Sequence, residues 1–141
     1  MREIRFRGKA TYSGNWIYGY YVAYSKFEEG VSDSTEICRV AIKRYDGGDI
    51  EDVAPETIGQ YTGLKDRNGV EIYEGDVVEV ITPLDDGYKG EVVWNDYGYG
   101  WGLDYASDII NFHLLADGEY ALEVIGNIHD NPEMVEVANV N

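Results

Sequence analysis

The chain contains one cysteine, Cys38, so no intrachain disulfide can form, and a single thiol fits a reducing compartment. No run of 18 apolar residues occurs, which excludes an ordinary transmembrane helix. The opening "MREIRFRGKA" is charged and is followed by no apolar stretch, so no secretory signal is expected. Basic residues stop at Lys89. From Gly90 to Asn141 there are ten acidic residues and no Lys or Arg. The nucleophile elbow G-x-S-x-G is absent, and so is any Gly-rich loop ending in Lys followed by Ser or Thr. These absences leave no enzymatic constellation in view, and no cofactor or metal is expected.

What is present describes one domain's worth of chain. Its 141 residues are enough to bury roughly two-thirds of the unfolded surface without metals or disulfides. The apolar fraction of 44% argues against wholesale disorder. Eleven basic residues face twenty-seven acidic ones, a formal net charge of −16. The charges are also segregated: residues 1–9 hold four basic residues and one acid. A surface this acidic repels phosphate backbones, so ordinary nucleic-acid binding is disfavoured. It serves solubility, and it also fits a partner with a basic surface.

Tyr, Val, Ile and Trp recur with Gly every few residues, and long 3.6-residue periodicities are scarce. This pattern predicts a mainly β protein built of short strands. "EIRFR" alternates as a half-buried strand, "YSGN" supplies a hairpin turn, and "WIYGYYVAY" returns as a strand with Trp16, Tyr18, Tyr20, Val22 and Tyr24 on one parity. "FEEGVSDSTE" reads as a loop before the strand "ICRVAIKRY", which "DGGD" closes. Pro55 limits continuation of a helix or central strand. "EGDVVEVIT" is a strand ending at Pro83, "LDDG" a turn, and "YKGEVVW" with "GWGLDY" a hairpin around "NDYGYG". "SDIINFHLLADG" reads either as a short helix capped by Ser107 and carrying Ile109, Ile110, Phe112 and Leu114, or with a strand through "NFHLL". "EYALEVIGNIH" is a last strand, stopped by "DNPE".

Single residues with reactive chemistry have ordinary structural readings. His113 and His129 are the only histidines, and neither belongs to a helical metal-binding motif. Cys38, in a strand, reads as a small apolar residue rather than a nucleophile. "YGYGWG" lacks the Lys and the helix of a phosphate loop and reads as a turn. Thirteen tyrosines and three tryptophans are the stronger signal, because these rings bury area while keeping a polar tip and are enriched at interfaces. In "WIYGYYVAY" both faces carry aromatic rings: one can pack on the core, and the other reads either as ordinary cross-strand aromatic packing or as a surface for a partner or another copy.

The stretch "IGQYTGLKDRNGVEIYEGDVVEVI" concentrates polar and aromatic residues. Asn68-Gly69 is a hairpin signal, because both residues tolerate positive φ. Asp66 can accept backbone N–H groups two residues on, and Gly75 lets the chain swing away before the strand that starts near Val77. A binding role here would fall to Tyr61, Lys65, Arg67 and Tyr73. With Arg5, Arg7, Trp16, Tyr18 and Tyr20 they complete the candidate interaction residues.

Three pieces together, "REIRFRGK…GNWIYGYYV", "ETIGQYTGLKDRNGVEIYEGDVVEV" and "LEVIGNIHDNPE", resemble the YopX-like proteins encoded by bacteriophages and prophages, chiefly of Gram-positive bacteria. The resemblance covers nearly the whole chain, and the middle piece is its most specific part. It implies a β-rich fold containing a small SH3-like barrel, a phage context and hence a bacterial host cytoplasm. It carries over no catalytic residue. The expected organisation is a single YopX-like domain: an N-terminal β region over 1–54, a barrel-like core over 55–134 and a tail over 135–141, with at most one short helix. The expected function is that of a non-enzymatic accessory protein working through protein contacts. Self-association comes first, with the basic strand Arg2, Arg5, Arg7 docking on the acidic half of a neighbour in a homo-oligomer. The alternatives are an acidic mimic of DNA or RNA that binds the basic surface of a host or phage protein, and a nucleic-acid-binding barrel using Lys65, Arg67, Tyr61 and Tyr73. No membrane partner is expected.

Overall fold

The computed structural model describes residues 4–26, 37–81, 89–95, 100–105, 108–112 and 121–136. Eleven strands and one short helix are described, and the chain divides into two compact units, Met1–Gln60 and Tyr61–Asn141. The fold is mainly β, as expected. No helix among the described residues is long and apolar enough to cross a membrane.

In the first unit β1 (Phe6–Lys9) and β2 (Trp16–Lys26) form an antiparallel hairpin, with Arg7 opposite Tyr18 and Lys9 opposite Trp16. The "YSGN" turn works because Gly14 adopts φ 75°, which disfavours any side chain, while its N–H donates to the Ala10 carbonyl at 2.8 Å. β2 pairs next with β3 (Ile37–Arg44), and β3 with β4 (Ile50–Asp52). The chain then makes a 3₁₀ turn at Pro55–Thr57, whose Pro lacks the N–H that a continuing strand would need. At the start of β5 (Gly59–Lys65), Gly59 and Gln60 pair with Arg7 and Phe6. Alternation puts Ile17 and Ile42 on one face with Ala10 and Val53, and Phe6, Val40 and Ile58 pack against that cluster. Two backbones come close where β2 meets β3. A Cβ built on Gly19 would meet the Lys43 carbonyl oxygen at 1.9 Å, so only glycine fits there.

In the second unit the remainder of β5 pairs with β6 (Glu71–Tyr73) across the "DRNG" turn. Five further strands make an antiparallel sheet in the order β10-β9-β8-β7-β11: β7 (Asp76–Ile81), β8 (Lys89–Asn95), β9 (Gly100–Tyr105), β10 (Asp108–Asn111) and β11 (Ala121–Asn127). Helix α1 (Glu133–Glu136) follows. Ile72, Val78, Val80, Val92, Trp101, Leu103 and Phe112 form the core of this unit. Each fully buried aliphatic side chain among them contributes about 1.5–3 kcal/mol relative to exposure. No strand pairing among the described residues closes the sheet into a barrel; β10 and β11 are its edges.

In "SDIINFHLLADG" a strand forms over Asp108–Asn111, paired with Gly102–Tyr105 of β9, and it does not run on through "NFHLL": Phe112 is already helical, and residues 113–115 lie outside the described residues. Ser107 itself lies outside the described residues. The loop 27–36, the "LDDG" turn, the interior of "NDYGYG" and His113 lie outside the described residues. Cys38 lies in β3, but its side chain is outside the description.

Candidate functional site

The crowded middle stretch resolves into a folding device. Asp66 is only 7% exposed, and its carboxylate accepts three backbone N–H groups. Asn68 and Val70 donate to Oδ1 at 2.8 and 2.9 Å, and Val124 of β11 donates to Oδ2 at 2.9 Å. The Arg67 N–H donates to the Leu122 carbonyl at 2.9 Å, and Gly69, at φ 82°, closes the turn onto the Asp66 carbonyl. Burial pushes the Asp66 carboxyl up. The three N–H donors, from Val124, Val70 and Asn68, and the nearby Arg67 charge outweigh it and hold the group below the usual Asp range.

Gly75 makes the next corner at φ 90°, and the buried Asp76 accepts the Tyr73 N–H at 2.8 Å. The Gly75 carbonyl accepts the Ile128 N–H at 2.9 Å, which brings the "GNIHDNPE" segment against this corner. There Asn127 Oδ1 caps the turn by accepting the N–H groups of His129 and Asp130, at 3.0 and 2.9 Å. The middle and C-terminal motifs are therefore one hydrogen-bonded assembly.

Tyr61 and Tyr73 belong to the interior: they are 6% and 2% exposed, with ring centroids 5.4 Å apart. The polar hydroxyl made them resemble surface residues, but their rings offer no stacking platform. Lys65 and Arg67 are exposed beside them. Of the four candidates in this stretch, then, two are buried and two are exposed.

The first unit does gather its candidates. On β1 and β2, Arg7 and Lys9 share a face with Trp16, Tyr18 and Tyr20, because directly opposed residues project the same way. Arg7 lies over the Trp16 ring at 4.6 Å and Lys9 over the same ring at 5.6 Å; Arg5 lies over Tyr45 at 5.3 Å. Tyr20 meets Tyr45 edge-on at 5.0 Å. Tyr20 is 58% exposed and Tyr18 is 43% exposed. Trp16, Ile17, Tyr18, Arg44, Tyr45 and Asp46 line an open hollow of about 210 Å³. Arg44 is held by Asp46 at 2.9 Å and Glu51 at 3.6 Å.

Two parts of the sequence reading change here. Arg7 is 5% exposed, because its guanidinium packs on Trp16 instead of following the alternation out to solvent, and Arg2 lies outside the described residues. Of the strand Arg2, Arg5, Arg7, the described part keeps Arg5 half-buried, with Lys9 half-buried beyond it. Tyr45, which sequence reasoning did not single out, joins the face only because β3 brings it beside Tyr20.

Charge divides along the same line as the fold. The first unit holds eight Lys and Arg against ten Asp and Glu; the second holds three against seventeen. In the second unit carboxylates even oppose each other directly across strands, Glu79 against Glu123 and Glu91 against Asp104. Burial, Asp104 and Glu74 push the Glu91 carboxyl above the usual Glu range. A raised carboxyl keeps its proton better in the folded state, so its contribution falls as pH rises from the unfolded value through the folded one. Glu91→Gln is accordingly expected to stabilise the protein at pH 7 by about 0.2–1 kcal/mol, the size of a cross-strand charge effect. The gain should vanish in acid, as denaturant titrations at two pH values would reveal. Among the described residues no group of three or more His, Cys, Asp or Glu is placed to hold a metal ion.

The fold has a solved counterpart. The crystal structure of protein EF1440 from Enterococcus faecalis superposes with a TM-score of 0.53 at 24% sequence identity, covering 96% of this chain and 99% of that one. This likeness shows the fold. A search of the curated proteins finds no match. The family model described as YopX protein matches residues 5–136, taking in both the Asp66 turn and the Asn127 turn. With the match running through the aromatic hairpin, the stapled middle motif and the final strand alike, the chain belongs to the YopX protein family.

Proposed function

We propose that this protein is a non-enzymatic phage or prophage accessory protein of the host cytoplasm, acting as a protein–protein interaction module that associates with itself. The observation that carries the reading is the aromatic and basic face of β1 and β2. Tyr18 and Tyr20 stand exposed there among Arg5, Lys9, Trp16 and Tyr45, in a molecule whose other half is strongly acidic. Tyrosine is a low-entropy contact residue, and the first unit, with eight basic residues against ten acidic, is far less acidic than the second. The partner this complementarity favours is the acidic second unit of another copy, in a head-to-tail contact that can close into a ring.

Sedimentation velocity at low and high salt tests it. Oligomers at low salt that fall to a smaller species as salt rises are expected, with Tyr20→Ser weakening them. A protein that stays monomeric at both salt levels overturns the reading.

A second reading has its own support. The seventeen acids of the second unit, with two like-charged cross-strand pairs, suit a polyanion mimic that occupies the basic site of a nucleic-acid-binding protein. Its test is capture from host lysate on the immobilised chain. Salt-eluted DNA- or RNA-binding proteins are expected, and recovery of only neutral or acidic proteins counts against it.

A further inference from the structure

β2 is 11 residues long, but β1 runs beside only its first four, from Trp16 to Gly19. Its other side is paired with β3 without interruption from Gly19 to Lys26. Among the described residues, therefore, no strand covers the β1-side edge of residues 20–26. Such an edge presents a row of backbone N–H and C=O groups that will pair with another strand. The usual protections of an open edge are charges, proline or a bulge. None is present in "YYVAYS": the first charge is Lys26, there is no proline, and the β2–β3 register has no shift. The side chains beside the edge are exposed on both faces of the strand, Tyr20 at 58% and Tyr21 at 44%.

We propose that this edge is completed by the same edge of a second copy, the two β2 strands pairing antiparallel about a two-fold axis at Ala23. The choice of occupant rests on charge. Two chains of net charge −16 repel, most strongly through their second units, whereas the first unit has eight basic residues against ten acidic ones. Along the edge itself no charged residue occurs between Trp16 and Ser25, so the strand meets its own copy with no like charges opposed. From Tyr21 to Ser25 the strand itself offers a charged peptide no counter-charge. Pairing about Ala23 sets Lys26 opposite Tyr20 of the other copy, so the one flanking charge also meets no like charge. The contact is isologous and closed, and it joins the two β-sheets into one.

This contact differs from the head-to-tail association proposed above in salt dependence. A backbone ladder between uncharged edges persists at high salt, where a charge-driven contact is lost. The test uses the full chain. Ala23→Cys in a Cys38→Ser background places one thiol on the axis, so mild oxidation is expected to yield a covalent dimer through the introduced thiol alone. In the native background Ala23→Lys opposes two ammonium groups at the axis, and it should weaken the dimer seen by sedimentation at high salt by roughly tenfold or more. A dimer at high salt that Ala23→Lys abolishes supports the proposal. It is overturned by a monomer at high salt, even one that oligomerises at low salt, and by a dimer that neither cross-links in the Ala23→Cys variant nor responds to Ala23→Lys.

Discussion

Asp66→Ala is expected to cost roughly 3–5 kcal/mol of stability, enough to leave most mesophilic domains of this size marginal. The substitution removes one acceptor but strands three backbone N–H groups, on Asn68, Val70 and Val124. Each bond to a charged group is worth about 1.5–3 kcal/mol, and water entering the gap recovers part of their sum. Asp66→Asn is the sharper variant. Its amide oxygen can still serve the two turn donors, but its NH2 would face the Val124 N–H, donor against donor. Chemical denaturation should rank the series wild type, Asn, Ala. Because the folded carboxyl titrates below the unfolded one, its contribution is complete above the unfolded value and is lost as pH falls through the folded one. The acid limb of the stability profile should therefore flatten in Asp66→Asn. Asn68→Ala touches only an exposed contact to Glu123 and should change stability by less than about 1 kcal/mol. Equal losses for Asp66→Ala and Asn68→Ala would refute the staple.

Gly19→Ala is the second large effect expected, at about 3 kcal/mol or more. A methyl group there would lie 1.9 Å from the Lys43 carbonyl oxygen and 2.7 Å from its carbon, so backbone and not a flexible side chain must yield. Small-to-large changes in packed interiors typically cost about 1–3 kcal/mol, and a clash with a paired strand belongs at or above the top of that range. Gly90→Ala is the equivalent in the second unit, 2.3 Å from the Asp104 carbonyl oxygen. Gly14→Ala is the contrast: nothing lies within 4 Å, and only the φ of 75° resists it, at about 1–2 kcal/mol. Urea midpoints of the three variants check the order. A Gly19→Ala protein as stable as Gly14→Ala would show that β2 and β3 do not approach as closely as described.

Local devices were legible in the sequence, and distant ones were not. Asn68-Gly69, Gly14 and Pro55 act within a few residues of themselves, so their chemistry could be read directly, and alternation recovered most strands. The Asp66 turn was legible as a turn, but its bond to Val124, 58 residues away, was not. Tyr61 and Tyr73 misled because tyrosine suits interior and interface equally, and only packing decides between them. Arg7 misled because strict alternation treats a guanidinium as a solvent group, whereas a neighbouring indole gives it an interior place. The aromatic face of β2 was visible as a parity pattern; the addition of Tyr45 needed the β2–β3 register.

The reach from Asp66 to Val124 also sets an order of assembly during synthesis. The hairpins β1–β2 and β2–β3 close locally and can form as soon as they emerge, since short loops lose little entropy. In the second unit the turn between β5 and β6 carries a carboxylate whose third donor, Val124, lies beyond β10. Until β11 arrives, β7 lacks its outer neighbour and Asp66 must stay hydrated, so its turn cannot yet seal. A nascent chain is thus expected to hold a finished first half and an unsealed second one, with β11 acting as the bolt.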